Sequence, residues 1–134
     1  MPDHRSGCIA LNGEGEVLVV HNRESKQWQL PAALVKDGED VEDAAIRGLQ
    51  EKMGVTVRSE RILGSRPGAE ETIATDTWFL CRLGTRVPIL QDTDTYDKWG
   101  FFSLVDLTQR YDELSPTLRN FLEAMAYDEI DLDV

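Results

Sequence analysis

Between Leu30 and Val55 the chain places Glu39, Arg47, Glu51 and Lys52 in and just before a segment of helical period. Val41, Ala45, Leu49 and Met53 recur every four residues with Ile46 beside them, which predicts a helix with that face turned inward. At about 100° per residue, positions 47, 48 and 51 then fall with 44 and 55 on the side opposite the apolar stripe. Carboxylates gathered on one helix face suit a hard cation such as Mg2+, which takes oxygen ligands, bridges substrate phosphates and neutralises charge as water attacks. Here Glu51 is accompanied by Gly48 and Lys52, and a single carboxylate is a weak Mg2+ site. An ammonium about 4 to 6 Å from a bound cation costs a few kcal/mol at an effective dielectric of about 20. Glycine within a helix costs roughly 0.5–1 kcal/mol relative to alanine, and two explanations stand for Gly48: close approach of backbone or ligand, or relaxed constraint at that position.

The stretch resembles the Nudix box, whose pattern is glycine, five residues, glutamate, seven residues, then Arg-Glu-aliphatic-any-Glu-Glu-any-Gly-aliphatic. Ala33, Glu39, Arg47, Leu49, Glu51, Gly54 and Val55 keep its register. Ala33 stands for the glycine, Gly48 for the glutamate after arginine, and Lys52 for the last glutamate. Trp28-Gln29-Leu30-Pro31 is similar to the lead-in of such boxes, and Trp99-Gly100-Phe101-Phe102-Ser103-Leu104 to the aromatic strand that follows them. The resemblance implies an α+β fold, an α/β/α sandwich in which a mixed β-sheet is flanked by helices. It also implies cleavage of a diphosphate linkage in nucleoside diphosphate derivatives, with Mg2+ or Mn2+ as cofactor.

On that resemblance Glu51 and the backbone carbonyl of Ala33 are metal ligands, and Asp97, before the aromatic strand, is the best additional acid, ahead of Asp40, Asp43 and Asp76. Glu39 and Arg47 brace the loop against the helix and, with Glu51, are the catalytic residues if the protein is active; a purely structural ion pair is the other role open to them. The family's three carboxylates carry a formal −3, whereas Gly48 (0), Glu51 (−1) and Lys52 (+1) sum to zero. Gly48→Glu with Lys52→Glu is therefore the change expected to rebuild the ligand set. Without metal, Lys52 and Arg47 are candidate cations for a phosphate. Trp78 and Tyr96 are candidates for stacking on a base or sugar, with a core role the alternative for Trp78 and Trp99. The function expected is a divergent Nudix protein that binds a nucleoside-diphosphate-like ligand with weak or absent hydrolysis. The alternatives are an active Mg2+-dependent pyrophosphohydrolase and a non-enzymatic interaction domain.

Several elements must position these residues. Cys8 to Leu11 and Glu16 to Val20 flank Asn12-Gly13-Glu14-Gly15 as a hairpin. Asp40 caps the helix and Gly54 ends it; strands follow over Thr56–Leu63, Thr72–Leu83 and Lys98–Ser103, and a second helix runs from Pro116 to Ala126 behind Ser115. A length of 134 residues with 41% apolar content supports one domain, placed at residues 1–126, with an acidic tail at 127–134 that frays into solvent. No segment has the 18 or more apolar residues of a membrane span and none reads as a signal sequence, so a cytoplasmic protein without a membrane partner is expected. A formal charge of −11, from 14 bases and 25 acids, argues against a nucleic-acid polymer and leaves a small phosphorylated ligand or nucleotide. Cys8 and Cys81 read as buried free thiols. The pattern sets no oligomeric state.

Overall fold

The computed structural model describes residues 3–132, and among them are seven strands and three α-helices. β1 (Asp3–Leu11) and β2 (Val17–Asn22) form the expected hairpin, with Leu11 opposite Val17. The Asn12 side-chain oxygen closes the turn by accepting from the backbone N–H groups of Glu14 and Glu16 at 3.0 and 2.9 Å. β3 (Trp28–Gln29) and β4 (Ala32–Leu34) follow, then helix α1 (Val41–Met53), β5 (Ser59–Pro67), β6 (Ile73–Arg82) and β7 (Tyr96–Phe102). α2 (Leu104–Gln109), a 3-10 turn at Tyr111–Glu113 and α3 (Pro116–Ala126) complete the chain order. The sheet runs β3-β2-β1-β6-β5, with β4 also paired to β1 and β7 to β2. β1 and β6 are parallel and the other pairs antiparallel, so the sheet is mixed.

Alternation along the strands builds two cores, because successive side chains point to opposite faces of a sheet. Cys8, Ala10, Leu18, Val20, Phe79 and Cys81 meet Ala45, Leu49 and Met53 of α1 on one face. Ile9, Leu11, Val17, Val19, Trp78 and Leu80 meet Leu118, Phe121 and Ala124 of α3 on the other. This is the α/β/α sandwich of the sequence reading. Cys8 and Cys81 are buried and free with their sulfurs 3.2 Å apart, and the hydrogen bond between them, with burial, holds the Cys8 thiol well above its usual pKa. Among the described residues, no helix is long and apolar enough to cross a membrane.

Both long helices run over the expected residues. Ser115 caps α3 by accepting from the Leu118 N–H, whereas Asp40 precedes α1 without a side-chain cap bond. Strands β3 and β4, with two and three residues, are too short to show a period, and α2 is marked only by the Ser103–Asp106 capping box. β5 starts at Ser59 rather than Thr56 and extends to Pro67. The end of the chain requires a correction. Ile130 and Leu132 do not fray but are 6% and 4% exposed, inside the α3-side core. Arg61 donates to the carbonyls of Asp131 and Leu132 at 2.8 and 2.7 Å, and Arg66 pairs with Glu129 at 3.0 Å. The acids of this segment thus alternate with apolar residues that the sheet can bury, and arginines of β5 meet it; Asp133 lies outside the described residues.

The inward face of α1 also differs from expectation. Ala44 and Gly48 are buried with Ala45, Leu49 and Met53, while Val41 is exposed. Small residues let the helix lie close to β1 and β4: Ser6 donates to the Val41 carbonyl at 2.6 Å, and the Cys8 thiol to that of Ala45 at 3.3 Å. At Gly48 the approach is closest, since a Cβ there would lie 2.7 Å from the carbonyl carbon of Ala32 and 3.0 Å from the Ala33 nitrogen. The C-terminal end of α1 is finished by Gly54 at φ 66°, and by the Gln91 and Ile89 N–H groups, which donate to the Lys52 and Met53 carbonyls at 2.8 and 2.9 Å.

Gly48→Ala tests the packing. Helix propensity alone predicts a gain of about 1 kcal/mol. Because the methyl would meet backbone, the net expectation is instead a loss of about 1–3 kcal/mol, read as a lower urea midpoint at unchanged m-value. A stabilised variant would show that the close approach is not a constraint.

Candidate functional site

Arg47 is the organising cation of the outer face of α1. Its Nε and Nη2 bond both oxygens of Glu39, at 2.9 and 3.0 Å. Nη1 reaches Glu51 one turn on at 2.8 Å, and Nη2 also donates to the Leu34 carbonyl at 2.8 Å. Glu39 in turn accepts the Lys36 N–H at 3.0 Å. The Arg47 hydrogen bond, followed by that from Lys36, lowers the Glu39 pKa from 4.5 to about 2, and Glu39 first among the acids raises that of Arg47. The 34–39 loop is therefore pinned to the helix. Four of the five N–H donors of Arg47 are engaged in this brace, which leaves one on Nη1 for the phosphate contact expected from sequence.

Lys52 points the other way. Its ammonium donates to the Ala32 carbonyl at 2.5 Å, on the β4 strand that Gly48 allows so near and one residue before Ala33, whose carbonyl the resemblance implies as a metal ligand. Burial pushes the lysine below its usual pKa, against the pull of Glu51 and Asp92. The positions that the resemblance implies for a bridging Mg2+ hold fewer carboxylates than the family pattern. Glu51 is the one carboxylate of positions 48, 51 and 52 and is held by Arg47. Position 48 has no carboxylate and a Cβ there would require backbone to shift, and an ammonium occupies a loop carbonyl. Among the described residues, no three His, Cys, Asp or Glu side chains are grouped to hold a metal. The same geometry bears on the expected repair: a glutamate at position 48 would start from a Cβ 2.7 Å from the Ala32 carbonyl carbon, so Gly48→Glu with Lys52→Glu requires the helix or β4 to shift. The close backbone approach named as one explanation of Gly48 is present.

A cavity of about 570 Å3 opens beside Lys52, between β4 and the first turn of α3. Arg5, Lys52, Glu70, Tyr96 and Thr117 are among its lining residues. Tyr96 is 5% exposed, with its hydroxyl pKa raised first by burial and then by Asp92. Two sequence candidates lie elsewhere. Trp78 is fully buried against Phe121, ring centroids 5.8 Å apart, and cannot stack on a ligand, because its strand directs it into the α3-side core. Asp97 accepts from His21 at 2.7 Å, which lowers its pKa, and it is absent from the cavity wall. Trp99 is exposed and meets Phe101 edge-on at 5.7 Å. Arg5, Glu70 and Thr117 carry no local sequence signal: β1, the β5–β6 connection and α3 bring them together across up to 112 positions. Asp92 could have been noticed as an acid in the loop before β7; it lies where its charge acts on both Lys52 and Tyr96.

The brace has a pH signature. Glu39 has a lower pKa folded than unfolded, so its contribution is complete above about pH 4.5 and is lost as the pH falls toward about 2. Urea midpoints of the wild type should fall across that window. Glu39→Gln should lower stability at neutral pH and flatten the acid limb; an acid limb identical to wild type would contradict the assignment.

The comparisons with known proteins agree with this architecture. A family model described as NUDIX domain matches residues 1–125. Nudix hydrolase 6 of Arabidopsis thaliana is 34% identical over 85 residues, 58% of this chain and 30% of that protein, and the chain spans about a third of the length of the first curated relatives it matches. The MutT protein from Methanosarcina mazei Go1 superposes with a TM-score of 0.75 at 19% identity, covering 95% of this chain and 94% of the other. The NUDIX domain of Shewanella oneidensis NrtR, solved in complex with ADP ribose, gives 0.75 at 15% identity, covering 96% and 88%. The matched box, its braced helix and the sandwich around it establish that the chain belongs to the Nudix family.

Proposed function

We propose that this protein binds a nucleoside-diphosphate-like ligand beside α1 without a metal ion and hydrolyses it weakly or not at all. One observation carries the reading: Lys52 donates to the Ala32 carbonyl from a helix that Gly48 lets lie against β4, so a fixed ammonium stands on the loop next to Ala33, where the family resemblance implies a cation. Lys52 has three N–H donors and spends one on that carbonyl, leaving donors for phosphate oxygens. In a half-buried site such a charge-assisted bond is stronger than it would be in open water. Tyr96 closes the cavity beside it, and Glu51, engaged by Arg47, supports the loop rather than a metal. A lysine supplies charge and hydrogen bonds but no activated water, which is why binding survives in this reading and turnover does not. The ADP-ribose complex of the NrtR domain makes ADP-ribose a suitable probe.

Titration of ADP-ribose in EDTA should give saturable binding to the wild type. Lys52→Met should weaken it at least about tenfold, equivalent to about 1.4 kcal/mol. Added Mg2+ should release no AMP at an enzymatic rate. Binding that requires metal, or rapid Mg2+-dependent cleavage, would instead support the active pyrophosphohydrolase.

A further inference from the structure

The chain as a whole is strongly acidic, with a formal charge of −11, but the cavity beside Lys52 reverses that balance: Arg5 and Lys52 face a single lining acid, Glu70. Arg5 is held from two sides. Its Nη1 donates to Glu70 at 2.9 Å and to the Thr117 hydroxyl at 2.6 Å. Thr117 lies in the first turn of α3 beside buried Asp76, which Asn120 also holds, at 2.8 Å. Nε and Nη2 of Arg5 engage no group among the described residues, so a two-oxygen acceptor that takes the Nη1–Nη2 end of the guanidinium competes with Glu70 for Nη1. Arg5 is close enough for its charge to act on both Lys52 and Tyr96. Glu70 sits on the connection between β5 and β6 with 38% of its side chain exposed, so it can leave Arg5 for water without crossing the core.

We propose that this cavity is a diphosphate subsite gripped by Arg5 and Lys52, and that Glu70 is a built-in competitor that occupies Arg5 until phosphate displaces it. The inference rests on the ligand-binding reading above and adds to it the second cation and the control of its availability. A carboxylate already on the guanidinium supplies in the empty site one of the contacts that phosphate supplies in the filled one. Ligand affinity is therefore set by the difference between the two anions. The first turn of α3, at Pro116 and Thr117, places a helix N-terminus on the same wall, where negative charge is favoured.

The test is titration of inorganic pyrophosphate and ADP-ribose, in EDTA, into the wild type, Glu70→Gln and Arg5→Met, with thermal melts to establish folding. Glu70→Gln should bind both probes about three- to tenfold more tightly, and Arg5→Met should bind at least about tenfold more weakly. If Arg5→Met does not fold, Glu70→Gln decides alone. Wild-type binding of ADP-ribose that neither variant changes would overturn this inference while leaving the ligand-binding reading in place. Failure of every protein, Glu70→Gln included, to bind either probe would overturn both.

Discussion

The close approach of α1 to the Ala32–Ala33 backbone is the constraint on which the site depends. It is possible because position 48 lacks a Cβ, and because Ser6, Gly7, Cys8, Ala44 and Ala45 keep the surrounding layer thin. Once the helix lies there, the next inward-facing position one turn on is Lys52, and its ammonium falls on the Ala32 carbonyl. A carboxylate in either place would meet backbone oxygen without an intervening cation. The glycine and the lysine are therefore linked: one sets the distance and the other supplies positive charge at that distance.

The outer face of the same helix follows a separate logic. Arg47, Glu39 and Glu51 form a network that uses the family's residue types to fix a loop, and it would do so whether or not phosphate chemistry takes place alongside. The fold needs that brace because the 35–39 segment has no strand or helix of its own. Retention of Glu39, Arg47 and Glu51 in the sequence accordingly carries structural information and leaves the question of turnover to the metal-bearing positions. Arg5 meets the cavity from the opposite side, anchored through Thr117 to α3, so the two cations approach one space from different layers of the sandwich.

Much of this was legible in the sequence because periodicity reports burial. The apolar run of Cys8 to Leu11 before a turn and the four-residue spacing of Leu49 and Met53 located β1 and α1. Gly54 and Ser115 marked helix ends through backbone needs that few residues meet. What escaped was set by contacts distant in sequence. Gly48 could be read in two ways because its partner is a backbone peptide 16 positions earlier, which no side-chain pattern reveals. Arg5 and Glu70 are 65 positions apart and pair only because parallel β1 and β6 bring their neighbourhoods together. Trp78 and Asp97 offered suitable chemistry, but strand direction assigned one to the core and the other to His21. The acidic end was read by its charge, while the burial of Ile130 and Leu132 decided its course.

If Lys52, rather than a divalent ion, supplies the positive charge between α1 and β4, the helix should hold no metal even with a ligand present. Titration of Mn2+ followed by electron paramagnetic resonance, with ADP-ribose present, tests this most directly. The predicted result is no saturable stoichiometric Mn2+ site, and a free-ion signal that rises in proportion to added metal. One tightly bound Mn2+ per chain, lost on Glu51→Gln, would contradict it.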